Sequence, residues 1–253
     1  MRVLNLLKFS FNFSQKLDIS FLKIVYICLH WQIFGLKEFK LNLKFKDRKF
    51  TFFLSNRFEL GTINDIFVKE EYNFDYINEP KVVLDLGANV GDTAIYYSLL
   101  FPDAKIYAVE PNPQVHAKLE KNVSAFPNVK ICKCAVSDKT GKINLYFGDS
   151  HLGSSINMRE QNTKSIEVDV YSLEDFCKME NIGIVDILKF DIEGAEEYLL
   201  QSDFIKTNVR EIAGEMHDDL VSVPLLPLIE KLNLQNIVRK QISKSRYIIF
   251  GQL

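Results

Sequence analysis

Apolar and polar positions along this 253-residue chain follow several distinct periods. Residues 1–36 place Phe, Leu and Ile at helical spacing, which predicts one or two helices. From Phe39 the period drops to two, with Leu41, Leu43 and Phe45 alternating with Asn42, Lys44 and Lys46. An Asp47-Arg48 turn and a second run over 49–54 complete the pattern of a β-hairpin. A helix is expected over 61–71. Beyond residue 80, short apolar runs at 82–86, 105–110, 129–136, 142–147, 167–170, 184–190 and 210–216 read as strands. Helical segments lie between most of them, at 92–101, after Pro113, from Ser172, through 194–200 and over 225–234. The chain closes on a strand pair, 237–242 and 246–250. Such alternation predicts an α/β fold whose sheet is mostly parallel with one antiparallel edge strand. Residues 1–80 form a helical and β-hairpin extension, and residues 81–253 the main domain.

One stretch organises the rest: KVVLDLGANVGDTAIYYSLLFPDAKIYAVE, residues 81–110. It reads as a buried strand, a glycine turn, a helix and a second strand. Gly87 and Gly91 allow backbone shapes that a Cβ forbids and let a ligand approach the main chain. A helix starting near Asp92 points free N–H groups at the turn. Glu110 follows at the separation, about 20 residues, at which an acid accepts bonds from a ribose diol. The expectation is a nucleoside-bearing ligand at the carboxyl edge of the sheet. The spacing is G-x-x-x-G, without the middle glycine of the dinucleotide fingerprint G-x-G-x-x-G. Asp85 would repel a diphosphate and suit an ammonium group. A nicotinamide-dependent oxidoreductase is therefore disfavoured. Ligands of open α/β sheets lie beyond the carboxyl ends of the strands. Those ends carry residues 85–91, Glu110, 135–138, 191–193 and 215–218, and all five hold an acid. Converging acids call for a cation, and a sulfonium bearing an amino group supplies two positive charges.

DLGANVG followed by VEPN resembles the first two motifs of class I S-adenosylmethionine-dependent methyltransferases. From about residue 81 to 250 the chain resembles the FkbM family, through VVLDLGANVGDTA, AVEPNP, AVSDKTG, GSSI, LKFDIEGAEEYLL and GEMH. LKFDIEGAE is the most discriminating of these; residues 1–40 have no counterpart. The resemblance implies a Rossmann-like class I methyltransferase sheet, S-adenosylmethionine as cofactor, and transfer of a methyl group to a hydroxyl of a sugar, glycan or small natural product. By position, it implies that Asp85, Gly87 and Asn89 hold the methionine end, with Gly91 keeping the loop tight. Glu110 takes the ribose, Asp138 and the backbone at Ala135 lie by the adenine, and Asp191 and Glu193 face the methyl and its acceptor. Glu193 has a second reading, bracing its loop through backbone bonds. His217 follows a strand end and titrates near neutrality in its free form, so it is the candidate base, with packing as the alternative. Asp191, Glu193, Glu215, His217 and Asp218 also offer donors suited to Mg or Mn. The same groups read as solvated acids around a cationic cofactor, and no metal is expected. His151, Ser154 and Ser155 sit in a polar loop over 148–161, either an acceptor lid or plain surface.

Composition fits a globular chain, with 25% charged and 47% hydrophobic residues. Residues 1–50 hold ten Lys/Arg against three acids, a surplus of seven, which leaves the remainder at −9. The basic, aromatic arm points to an anionic partner, through a protein contact or peripheral attachment to a membrane. Residues 21–34 are interrupted by Lys23, His30 and Gln32 and are too short to span a bilayer; they read as an amphipathic helix. Cys28, Cys132, Cys134 and Cys177 lack metal-type spacing and are expected to be buried thiols. That suits a reducing compartment, hence the cytoplasm, with the arm free to lie at the inner face of the membrane. No flipped-base motif or RNA-binding module is found, so nucleic acid is not an expected partner. A non-catalytic scaffold that keeps the cofactor fold is the alternative to an enzyme.

Overall fold

The computed structural model describes residues 3–35, 37–77, 79–147 and 164–253. The chain begins with helices α1 (Val3–Leu17) and α2 (Phe21–Phe34), then the hairpin β1 (Phe39–Phe45) and β2 (Arg48–Leu54). Helix α3 (Arg57–Ile63) starts four residues earlier than the apolar pattern suggested, because Asn56 caps it. The Asn56 Oδ1 accepts from the N–H groups of Phe58 and Glu59, both at 2.9 Å, while Glu59 accepts from Ser55 N–H at 2.7 Å. This reciprocal arrangement is a capping box shifted by one residue. The helix runs on into a π-helical turn, Asn64–Val68.

The central unit follows: β3 (Val82–Leu86), α4 (Asp92–Leu100), β4 (Lys105–Val109), α5 (Pro113–Val123), β5 (Val129–Cys132), β6 (Ala135–Ser137), β7 (Gly141–Phe147) and β8 (Lys164–Ser172). Then come α6 (Leu173–Met179), β9 (Val185–Phe190), α7 (Glu196–Leu199), α8 (Asp203–Asn208), β10 (Val209–His217), α9 (Leu226–Glu230), β11 (Gln235–Gln241) and β12 (Arg246–Gln252). Seven strands form the main sheet in the order β11-β12-β10-β9-β3-β4-β5. Strands β5, β4, β3, β9 and β10 pair in parallel, and β12 runs antiparallel to both its neighbours. The reversed strand thus lies one place inside the edge, because the terminal hairpin inserts β12 between β10 and β11. Residues 129–136 do not form one strand. The chain breaks at Lys133–Cys134, and β6 leaves to join β7 and β8 in a separate sheet.

Strand β3 is buried on both faces, as its apolar run implied. Val83 belongs to one buried cluster with Ala94, Ile106 and the arm residues Phe13, Leu17 and Ile24, while Leu84 belongs to a second with Tyr107, Phe176 and Leu188. The extension therefore shares its core with one face of the sheet. Asn122 ties the two further: its Oδ1 accepts from Phe53 N–H at 2.8 Å, and its Nδ2 donates to the Val90 carbonyl at 2.8 Å. Helix α2 buries only Ile24 and Ile27 fully, and Leu22, Tyr26, Leu29, Ile33 and Phe34 remain exposed. The four cysteines are free, and all but half-buried Cys28 are buried. Among the described residues no helix is long and apolar enough to cross a membrane. The polar loop with His151, Ser154 and Ser155, and the GSSI motif, lie outside the described residues.

Candidate active site

A cleft opens at the carboxyl ends of β3, β4 and β9, where an open α/β sheet binds its ligands. Its cavity volume is about 190 Å³, and its walls are Leu86, Gly87 and Asn89 from the glycine turn, Glu110 to Asn112 after β4, Cys134 to Val136 before and on β6, and Asp191 to Glu193 after β9. Thr62, Val109, Val115, Leu145 and Ala195 complete it.

The glycine turn is shaped by chain packing. Gly87 has φ +79°, and a Cβ there would stand 1.9 Å from the Asp191 carbonyl oxygen. The close approach that demands glycine is thus between two loops, where a ligand contact was anticipated. Gly87 N–H donates to Val109 O and Asp191 N–H to Leu86 O, each at 3.0 Å, which fixes the turn between its neighbours. Gly91 has φ +92° and donates to Ala88 O at 2.8 Å; a Cβ would meet Leu119 and Val123 at 2.9 Å, so it keeps the loop tight as expected. Asn89, at φ 45°, lines the cleft.

Asp85 does not face the cleft. It is fully buried, its Oδ1 lies 2.9 Å from Lys189 Nζ, and its Oδ2 accepts from Thr93 Oγ1 at 2.7 Å. An ammonium from a ligand cannot reach it, since the chain supplies its own. Burial alone would lower the Lys189 pKa, but the Asp85 and Asp191 carboxylates outweigh it and raise the value. The same Nζ donates to Gly87 O at 3.2 Å, so Lys189 also holds the turn from beneath. A lysine inside the apolar run Ile187-Leu188-Lys189-Phe190 was the readable signal for this pair, because lysine is almost never fully buried unless paired.

Glu110 lines the cleft, yet both its oxygens also serve the backbone: Oε2 accepts from Asn89 N–H and Oε1 from Asn112 N–H, each at 2.8 Å. Burial pushes its carboxyl up to about 7, against the pull of those two donors. Ala135 lies in the wall. Asp138 does not: it is exposed and accepts from Ser137 Oγ at 3.1 Å, because β6 turns outward toward β7 at that point.

At the end of β9 the motif Asp191-Ile192-Glu193-Gly194 meets the end of β10. Asp191 is partly exposed to the cleft, and Glu193, at φ 50°, also lines it. Glu196 braces this loop, its two oxygens accepting from Ile192 N–H at 3.2 Å and Gly194 N–H at 2.8 Å. Glu196 also bonds His217 Nδ1 at 2.9 Å. His217 is 1% exposed, with Nε2 3.6 Å from Asp191 and 3.5 Å from Glu215. Burial alone would lower its pKa, but the Glu196 bond and the Asp191 and Glu193 carboxylates carry it up to about 9. The raised value favours a protonated ring, which weighs against the candidate-base reading and toward the packing alternative. Burial, with Asp191 close by and His217 opposing, lifts Glu215 to about 8. Asp218 is exposed.

Residues 85–223 match the methyltransferase FkbM domain. The chain is 26% identical over 170 residues to the 2-O-methyltransferase NoeI of Sinorhizobium fredii, covering 60% of this chain and 70% of that one. It is 25% identical over 170 residues to the 31-O-demethyl-FK506 methyltransferase FkbM of Streptomyces tacrolimicus, covering 54% and 65%. A similar solved structure is the fibrillarin of Aeropyrum pernix with natively bound S-adenosyl-L-methionine, at TM-score 0.46 and 14% identity over 87% of this chain and 83% of that one. The match to the family domain spans more than half of the sequence, and the chain belongs to the FkbM methyltransferase family.

Proposed function

We propose that this chain is an S-adenosylmethionine-dependent O-methyltransferase acting on a hydroxyl of a sugar, glycan or small natural product. The observation that carries the reading is that one cleft joins a ribose-type carboxylate, Glu110, to the Asp191 edge of an acid–histidine cluster. The lining suits the cofactor. Glu110 is held near 7 by burial and is relieved by hydroxyl donors. Val115, Val136 and Leu145 offer apolar walls to a purine, while Asp191 and Glu193 suit the cationic end. Asp85 has no part in this fit. When bound, the cofactor supplies an electrophilic methyl group on a sulfonium. The names of both relatives place the transfer on oxygen, which supports a hydroxyl as acceptor here.

Methyl transfer is an in-line displacement, so most of the acceleration comes from alignment. The turn at Gly87–Asn89 and the loop at Asp191–Glu193 are pinned to each other through the sheet, which fixes one reactant relative to the other. The acceptor hydroxyl is placed beside Asp191, and its proton leaves to water on the open side of the cleft. His217, charged and held by Glu196, positions Asp191 and Glu215. The basic arm, with exposed Phe11, Leu22, Tyr26, Ile33 and Phe34 among its lysines, is the proposed contact for a membrane surface or partner protein. The test of the cofactor is thermal unfolding: S-adenosylhomocysteine should raise the melting temperature and NAD should not. The reverse result would overturn the reading.

A further inference from the structure

We infer that Asp191, Glu215 and His217 form a binding site for one octahedral divalent cation, Mn²⁺ in preference to Mg²⁺, that holds the acceptor hydroxyl; its catalytic part rests on the methyltransferase reading above. One ligand atom from each of the three residues lies within 4.8 Å of the others. The decisive group is His217. Its ring is 1% exposed, its Nδ1 is engaged by Glu196 at 2.9 Å, and its Nε2 points at Asp191 Oδ1 and Glu215 Oε1 from 3.6 and 3.5 Å. Those separations exceed a hydrogen bond, which closes to about 2.7–3.2 Å. Donors about 2.1 Å from an octahedral ion stand about 3.0 Å apart, so both gaps close by about half an ångström when the three groups share one ion. The pattern in which a buried carboxylate holds one ring nitrogen and leaves the other for a metal fixes the tautomer of metal-binding histidines. Binding the ion displaces the Nε2 proton of the charged ring to solvent, while the Nδ1 proton stays toward Glu196.

Two cations lie within electrostatic reach of the cluster, Lys189 of Asp191 and Arg246 of Glu215, but each makes its close contact elsewhere. Lys189 is committed to Asp85 at 2.9 Å, and Arg246 binds Asp219 through two contacts at 3.2 Å. Two carboxylate oxygens and an imidazole nitrogen are hard and intermediate donors, which select Mn²⁺ or Mg²⁺ over thiophilic ions, and the nitrogen favours Mn²⁺. Asp191 is 35% exposed and lines the cleft, so the remaining positions of the ion face the substrate side. An acceptor hydroxyl bound there loses its proton to water more easily. Its oxygen then forms the bond to the methyl carbon, the carbon–sulfur bond breaks with its electron pair going to sulfur, and a neutral thioether leaves. Glu196 is a positioning residue in this scheme, acting through His217.

The test is titration of the full chain with MnCl₂, following free Mn²⁺ by electron paramagnetic resonance. The wild type should take up a single ion per chain. Asp191→Asn, at a partly exposed position that spares the core, should weaken binding by about tenfold or more. Glu215→Gln should do the same, and His217→Ala, checked for folding by its melting curve, should abolish it. Uptake that is absent, or equal in Asp191→Asn and wild type, would overturn the site. Methyl transfer to an extract acceptor that is undiminished by EDTA would overturn the cation's part in the reaction and leave the methyltransferase reading intact. Stoichiometric Mn²⁺ uptake without methyl transfer under any condition would uphold the site and count against that reading.

Discussion

Lys189 stands directly opposite Asp85 where β9 pairs in parallel with β3, with Nζ 2.9 Å from Oδ1 and both side chains buried. The pair sits beneath the turn that bounds the cleft, and Lys189 bonds the Gly87 carbonyl as well. Removing one member leaves a buried charge without its partner. Lys189→Met is expected to cost about 3–5 kcal/mol of stability, and the double variant with Asp85→Asn to recover part of that loss. Urea denaturation of the two single variants and the double variant measures the coupling. Additive losses would show that the pair is not a unit.

Glu110 gives a pH signature. Its folded pKa is about 7 against an ordinary value of 4.5. The raised value means that the group favours the folded state while protonated. Its contribution is full below about 4.5 and is lost as pH rises through about 7. Glu110→Gln should flatten that part of the stability–pH curve, read from melting temperatures across the window. An unchanged slope would show that Glu110 does not titrate there.

The loop contact at Gly87 has a steric consequence. Gly87→Ala places a methyl group where the Asp191 carbonyl stands, at a positive φ. The variant should lose about 2–5 kcal/mol and bind S-adenosylhomocysteine weakly or not at all. Calorimetric binding at wild-type affinity would refute the interlocked-loop description.

The two glutamates of the motif separate cleanly. Glu196→Ala strands two loop N–H groups and the His217 ring, and should destabilise the fold by about 3–5 kcal/mol. Glu193→Ala, at a partly exposed position, should stay within about 1 kcal/mol of wild type while altering activity. Equal losses from both in chemical denaturation would show that Glu193 carries as much of the loop's stability as Glu196.

The parts of the fold set by local pattern were legible. The run Val82–Leu86, the Gly87–Gly91 turn and Glu110 fixed the βαβ unit and the carboxyl edge where the cleft lies. What failed depends on contacts distant in sequence. Asp85 was read as a ligand for a cation because its partner, Lys189, comes from a strand about a hundred residues away. His217 was read as a neutral base because Glu196, which holds its proton, lies on a different element. Residues 129–136 read as one strand because apolar alternation continues through Cys132 and Cys134, although the chain changes sheets between them. The cap on α3 was written in Asn56 and Glu59 but was overshadowed by the apolar period that begins later. Residues 21–34 read as an amphipathic helix, but α2 is hydrophobic nearly all round, so the pattern does not say which of its sides stays exposed.

Methyl transfer from S-adenosylmethionine to a hydroxyl of a non-protein acceptor is tested by incubating the purified chain with methyl-labelled S-adenosylmethionine and fractionated cell extract and following the label. Label is expected in polysaccharide, lipid-linked glycan or small metabolites, in an ether bond that survives mild base. Label confined to protein, or label in no fraction, would contradict it.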